Sequence, residues 1–179
     1  MEEQEGVGEE EGKKGGAVEA WIESLLEAEF YTQCECGGSN RCETNMFCID
    51  CMGKAFCEKC KMEGKQHSEH RVIQVYKSSH ATCFRKQDIK TRMDISSIQS
   101  FINNSHHVIY IRPRKSNGHR NGVQPVNRCV VCSWELKSEG DIYCSISCKV
   151  AESKFLFFFF SFEVVFDVMT ADGNLVSSD

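Results

Sequence analysis

Read from its N-terminal end, the chain first shows order at "AVEAWIESLLEAEF". Here Val18, Trp21, Ile22, Leu25 and Leu26 fall on one helical face at the i, i+3, i+4, i+7, i+8 positions. The pattern predicts a short amphipathic helix within residues 17–33 that packs on its own domain. "RVIQVYK", residues 71–77, is rich in β-branched and aromatic residues and is expected as a strand against the block before it. In "MDISSIQSFINNS", Asp94 is placed to cap a helix burying Ile95, Ile98, Phe101 and Ile102. "HVIYIR" reads as another short strand. "RPRKSNGHRNGVQP" has Pro and Gly without periodicity and reads as a flexible loop.

The two ends carry less pattern. Residues 1–16 are Glu- and Gly-rich and are expected to be a disordered acidic tail. Residues 151–179, with the run Phe155 to Phe160, fit neither a helical period nor a strand alternation. Translated non-coding sequence or an unusual isoform end is one reading of that tail, and a hydrophobic strand pair is the other. The apolar run is far shorter than a membrane span.

Cysteine changes the picture. There are 12 in 179 residues, and "CIDCMGKAFCEKC" alone holds four. The N-terminal stretch has no basic region followed by an apolar one, so export is not expected and the thiols should stay reduced. Dense reduced Cys then points to metal rather than disulfides. Structural zinc takes four Cys or His ligands in a tetrahedron, and a two-residue gap lets one tight turn aim two ligands at one ion. Cys34, Cys36, Cys48, Cys51, Cys57, Cys60, His67 and His70 make four close pairs, three of them with that two-residue gap, enough for two ions. Cys129, Cys132, Cys144 and Cys148 make a third set, in which the last two thiols share a helical face. Three zinc ions are expected, with four ligands each and no open coordination position, so the metal is structural.

Charge adds a second theme. The net formal charge is −5, yet residues 71–128 hold eleven Lys and Arg against only Asp88 and Asp94, a local balance of +9. Such asymmetry points to a polyanion partner. Ten ligand thiolates and three dications would lower the total from −5 to about −9, so DNA could be held only through a segregated basic surface. Arg85, Lys86, Lys90 and Arg92 are candidates for phosphate contacts. Arg112, Arg114, Lys115 and Arg120 are candidates for an arm in the narrow minor groove of A/T tracts. "RPRK" is also a weak nuclear-import signal.

"NMFCIDCMGKAFCEKC", "HSEHRVIQVYKSS", "DISSIQSFINNS" and "CVVCSWELKSEGDIYCSISCK", in this order, resemble the PLATZ proteins, plant zinc-dependent DNA-binding transcription factors. The resemblance runs from about Trp21 to Lys149. It implies a repressor that prefers double-stranded A/T-rich DNA; a nuclear location and proteins of the transcription machinery as further partners are expected beside it. The first block is also similar to a B-box zinc finger, where ligand pairs cross. That likeness implies one ion on Cys34, Cys36, Cys57 and Cys60 and another on Cys48, Cys51, His67 and His70. The chain departs from the family at its first pair, with Cys34-x-Cys36 where C-x2-H is usual. A one-residue gap strains that chelate, and Cys42 could intervene. The loop from Cys60 to His67 is also longer than usual.

The expected architecture is thus a small zinc-stabilised α+β chain. A B-box-like module spans 34–77, a basic linker with helix and strand 78–128, and a second, single-zinc module 129–150, with little hydrophobic core besides. Cys83 is expected to be a small buried residue. His80, His106, His107 and His119 lack metal spacing and are expected in surface or core roles. The alternative function is a protein-interaction adaptor without direct DNA binding. A ubiquitin ligase fits the ligand spacing less well. No carboxylate pair, nucleophile elbow or Gly-rich phosphate loop suggests an enzyme.

Overall fold

The computed structural model describes residues 20–36, 42–115 and 127–155. The expected acidic tail, the Phe-rich end from 156 onward and Arg120 lie outside them, as does His119. Helix α1, Ala20–Glu27, buries Trp21, Ile22 and Leu25 as its periodicity requires. It ends before the expected residue 33: the chain leaves the helix after Glu27, and Tyr31 adopts a positive φ of 62°.

Strand β1, Met46–Cys48, pairs antiparallel with β2, Val72–Gln74, setting Phe47 opposite Ile73. This is the strand-on-block pairing expected of residues 71–77, but only its first half takes part. The segment breaks at Val75, which is fully buried and whose N–H donates to the Asn45 carbonyl at 2.8 Å. After it, β3, Tyr76–Ser78, joins a different sheet with β4, Ala81–Arg85, β5, Phe101–Asn103, and β6, His106–Tyr110, in the order β3-β4-β6-β5. Two hairpin turns shape this sheet, at Ser79–His80 and Asn104–Ser105. All four residues have φ between 46° and 63°, the double left-handed turn whose twist matches antiparallel strands.

Two expectations are corrected here. Residues 94–102 are not a helix. The Asp94 carboxylate accepts from the Ser96 N–H (2.9 Å) and hydroxyl (2.8 Å), closing a turn on itself. Ser97 then takes a positive φ of 61°, and the chain enters β5 with Phe101 buried and Ile102 74% exposed. That alternation belongs to a strand. The stretch expected as a linker is therefore largely sheet, with a four-residue helix, α3, at Lys86–Ile89 after the short α2 at Glu58–Glu63.

Nor does the chain lack a core. Leu25, Phe47, Val75, Phe84, Ile89, Ile109, Ile111 and Ile146 are all fully buried in one cluster. It joins α1, the first Cys block, the four-stranded sheet and the helical segment 146–155. Burial of such a side chain stabilises by about 1.5–3 kcal/mol each. A last ribbon, β7 (Asn127–Arg128) with β8 (Glu135–Leu136), carries the third Cys block.

Candidate metal centres

Local turns aim the thiols. At Cys48-x2-Cys51 the Cys51 N–H donates to Cys48 Sγ at 3.4 Å, and the Met52 N–H to the Cys48 carbonyl at 3.0 Å. At Cys129-x2-Cys132 the Ser133 N–H likewise reaches the Cys129 carbonyl at 2.9 Å. Met52 and Ser133, each just after its pair, take positive φ of 51° and 58°. That left-handed step costs non-glycine residues about 1–2 kcal/mol, and it folds both thiols of a pair toward one point. Cys57-x2-Cys60 uses a helix start instead: Cys57 is the N-cap of α2, and its Sγ accepts from the Cys60 N–H at 3.4 Å.

The fold then brings pairs together across the chain. Cys34 and Cys36 meet Cys57 and Cys60; Cys48 and Cys51 meet His67 and His70; Cys129 and Cys132 meet Cys144 and Cys148. Within each set all ligand atoms lie within 4.8 Å of one another. The separations test whether a metal fits. A tetrahedron with metal–sulfur bonds of about 2.3 Å has edges of about 3.8 Å, and a sulfur–nitrogen edge is about 3.6 Å. Cys34–Cys60 and Cys36–Cys57 are 3.8 and 3.7 Å apart, and Cys144–Cys148 is 3.7 Å. Cys132–Cys144 is tighter at 3.4 Å. Nδ1 of His67 is 3.6 Å from Cys51 Sγ, and Nδ1 of His70 is 3.5 Å from Cys48 Sγ and 3.1 Å from Cys51 Sγ. The donor sets fit zinc in both geometry and chemistry.

Electrostatics agrees. Left to themselves, thiols this close do not all ionise: one gives up its proton while its neighbour holds on. The bond from Cys144 brings Cys148 down to about 5 and pushes Cys144 up. Burial and the bond to Cys57 push Cys60 up to about 12. A divalent cation held by each set would remove that conflict and deprotonate the thiols outright. His67 is held below its usual range by burial and by His70, which favours the neutral imidazole a metal needs. Its ring stacks on Phe56 with centroids 4.3 Å apart. Around the second set, Asp50, between Cys48 and Cys51, accepts from Arg71 Nε (2.8 Å), Nη2 (2.6 Å) and backbone N–H (2.6 Å). That clamp fastens the Cys turn to the residue after His70 and holds the Asp50 carboxyl below its usual range.

The basic residues divide into two groups. Arg85 lies over the Tyr76 ring at 4.4 Å and, with the exposed Lys86 and Lys90, lines an open hollow shared with Ser105, His106 and His107. Arg92 is half-buried nearby in sequence. Arg112 and Arg114, expected on a flexible arm, are anchored instead. Arg112 Nη2 donates to the carbonyls of Leu26 and Ala28, tying the end of α1. The Arg114 guanidinium sits over three rings, Phe101 (4.4 Å), Trp134 (4.9 Å) and Tyr110 (5.0 Å). Lys115 is exposed. The grouping of His106 and His107 with the lysines had no signal in spacing, because it depends on the hairpin turn. Cys83 is fully buried beside Phe101, Val108 and Tyr110, and burial pushes its thiol up to about 11.

Fold and site together define a small α+β protein with three four-residue Cys/His sets suited to zinc. Residues 76–150 match the family model of the PLATZ transcription factors. The third ligand set lies within the match and the first two precede it. The chain is 31% identical over 134 residues to protein RGF1 inducible transcription factor 1 of Arabidopsis thaliana, an alignment covering 73% of this chain and 49% of that protein. It is 34% identical over 59 residues to an uncharacterised Arabidopsis thaliana protein, covering 32% of this chain and 54% of the other. The chain thus spans about half the length of the curated relatives it matches. No solved structure matches it. Among the described residues no helix is long and apolar enough to cross a membrane.

Proposed function

We propose that the chain is a zinc-dependent DNA-binding transcription regulator of the nucleus, a repressor that prefers A/T-rich duplexes. Three zinc ions occupy the three sets, the first two in the crossed, B-box-like manner, and their role is to fix the loops that carry the ligands. The observation that carries the reading is the convergence of Arg85, Lys86 and Lys90 with His106 and His107 on one hollow of a family-matched sheet. On a chain of net negative charge, that is where a phosphate backbone would be held. Arg92 extends this contact. Lys115 and Arg120 form the minor-groove arm, with Arg112 and Arg114 as its anchored base.

The adaptor reading keeps one observation in its favour. Val130, Val131 and Ile142, on the third centre, are 60%, 43% and 39% exposed and offer an apolar contact to a protein of the transcription machinery. A gel shift with zinc-loaded protein on A/T-rich and G/C-rich duplexes separates the two. The DNA reading expects a shift with the A/T duplex at lower protein concentration. No shift with either duplex leaves the adaptor.

A further inference from the structure

The first centre has five thiols near four coordination positions. Cys42 Sγ lies 3.8 Å from Cys36 Sγ, the same separation as between the ligands Cys34 and Cys60, and it faces the Cys57 thiol as well. Backbone pairing puts it there. The Cys34 N–H donates to the Cys42 carbonyl at 2.8 Å, Gln33 bridges Glu43, and the Thr44 N–H reaches the Thr32 carbonyl at 2.9 Å. Residue 42 is thereby held across from residue 34, at the mouth of the set. Cys36 is the exposed member of that set. Its one-residue spacing from Cys34 gives the tightest chelate loop of the three centres.

We propose that Cys42 is a fifth ligand of the first centre, exchanging with Cys36. The centre then alternates between Cys34/Cys36/Cys57/Cys60 and Cys34/Cys42/Cys57/Cys60. In the exchange the Cys42 sulfur loses its proton as it bonds the metal, and the Cys36 sulfur leaves and takes one up. Coordination number, charge and oxidation state stay the same. This rests on the zinc reading of the first set, and it gives that centre an associative route for handing its metal to another thiol ligand.

The test uses the full chain loaded with zinc. Native mass spectrometry should find three ions in wild type, in C36S and in C42S, and two in C36S/C42S. Limited N-ethylmaleimide treatment of loaded wild type, followed by peptide mapping, should place a single label on either Cys36 or Cys42, not both, with all three ions retained. Wild type holding fewer than three ions overturns the zinc reading and this proposal together. Wild type with three ions but C36S with two overturns the exchange alone. So does three-ion retention by the double variant, or labelling confined to Cys42.

Discussion

Truncating Arg114 distinguishes a clamp from a DNA contact. Its guanidinium covers Phe101 and Tyr110 of the sheet and Trp134 of the third Cys block, at 4.4, 5.0 and 4.9 Å. A cation over an aromatic face is worth about 0.5–1 kcal/mol when exposed and about 2 kcal/mol when desolvated. Arg114 is half-buried, and one charge shared over three rings does not triple its effect, so the stack contributes about 2 kcal/mol. Against this, its Nε is buried without a partner, a cost of about 1 kcal/mol that truncation removes. The packing of the side-chain stem, which truncation also removes, is worth a similar amount in the other direction. Arg114→Ala should therefore destabilise by about 1–3 kcal/mol, a fall in Tm on the order of 3–10 °C. Arg114→Lys keeps the charge but not the planar stack and should fall between. The assay is thermal unfolding of the zinc-loaded chain by Trp fluorescence, with DNA affinity measured well below the transition. An unchanged Tm with abolished DNA binding would refute the clamp and return Arg114 to the arm.

Other expectations follow from the same geometry. Leu25→Ala leaves a cavity where α1 meets the core and should cost about 2–5 kcal/mol in urea unfolding; a loss under about 1 kcal/mol would mean α1 is not packed as described. Lys86→Ala with Lys90→Ala should flatten the log–log salt dependence of DNA affinity by about 1.8, or about 0.9 for each phosphate no longer neutralised, and an unchanged slope would move the DNA face elsewhere. Asp94 is brought down to about 2 chiefly by the bond from Lys149 Nζ at 2.7 Å, with the Ser96 N–H adding to it. A depressed carboxyl contributes stability above its ordinary value near 3.8 that fades as pH falls toward 2. Because the side chain is 73% exposed, D94N should cost at most about 1 kcal/mol, with a constant gap from pH 8 to 5; a gap closing within that window contradicts the assignment. Chelation should strip hydrogen-exchange protection from Met52 and Ser133 first while Phe84 and Ile109 keep theirs, and uniform loss would show that metal and core melt as one.

What was legible in the chain was short-range. The C-x2-C pairs and the face of α1 are written within one or two turns, so spacing alone exposes them. Which pair meets which is a matter of tertiary structure, and here it came from likeness to a known module rather than from spacing. The sheet stayed hidden for physical reasons. Its hairpins turn at Ser79–His80 and Asn104–Ser105 without glycine, so the usual mark of a tight turn is missing. Ile95, Ile98, Phe101 and Ile102 sit at helical intervals, yet the positive φ at Ser97 breaks any helix and Ile102 faces solvent from a strand. Val75 hides a break between two sheets inside an unbroken β-like run. Arg112 and Arg114 look like a solvated basic arm because sequence does not show the carbonyls and rings that hold them.

Ligands and core residues interleave along the same segments. Cys48 lies between Phe47 and Ile49, both buried in the main cluster, and Ile146 lies between Cys144 and Cys148. A thiol that moves to release metal therefore pulls on a backbone whose next side chain is locked in the core. The converse also holds: a packed core presets the thiol positions and reduces the ordering entropy that metal binding must otherwise overcome. Small zinc modules without such a core fold only when loaded. In this chain Phe84 and Ile109 seat the strands that present Arg85 and His107, so the basic hollow is tied directly to the hydrophobic cluster, and the Arg114 stack on Trp134 links the same sheet to the third ligand set. On that reasoning zinc loss should weaken DNA binding by loosening the edges of the hollow, and a single core truncation at Phe84 should weaken it more.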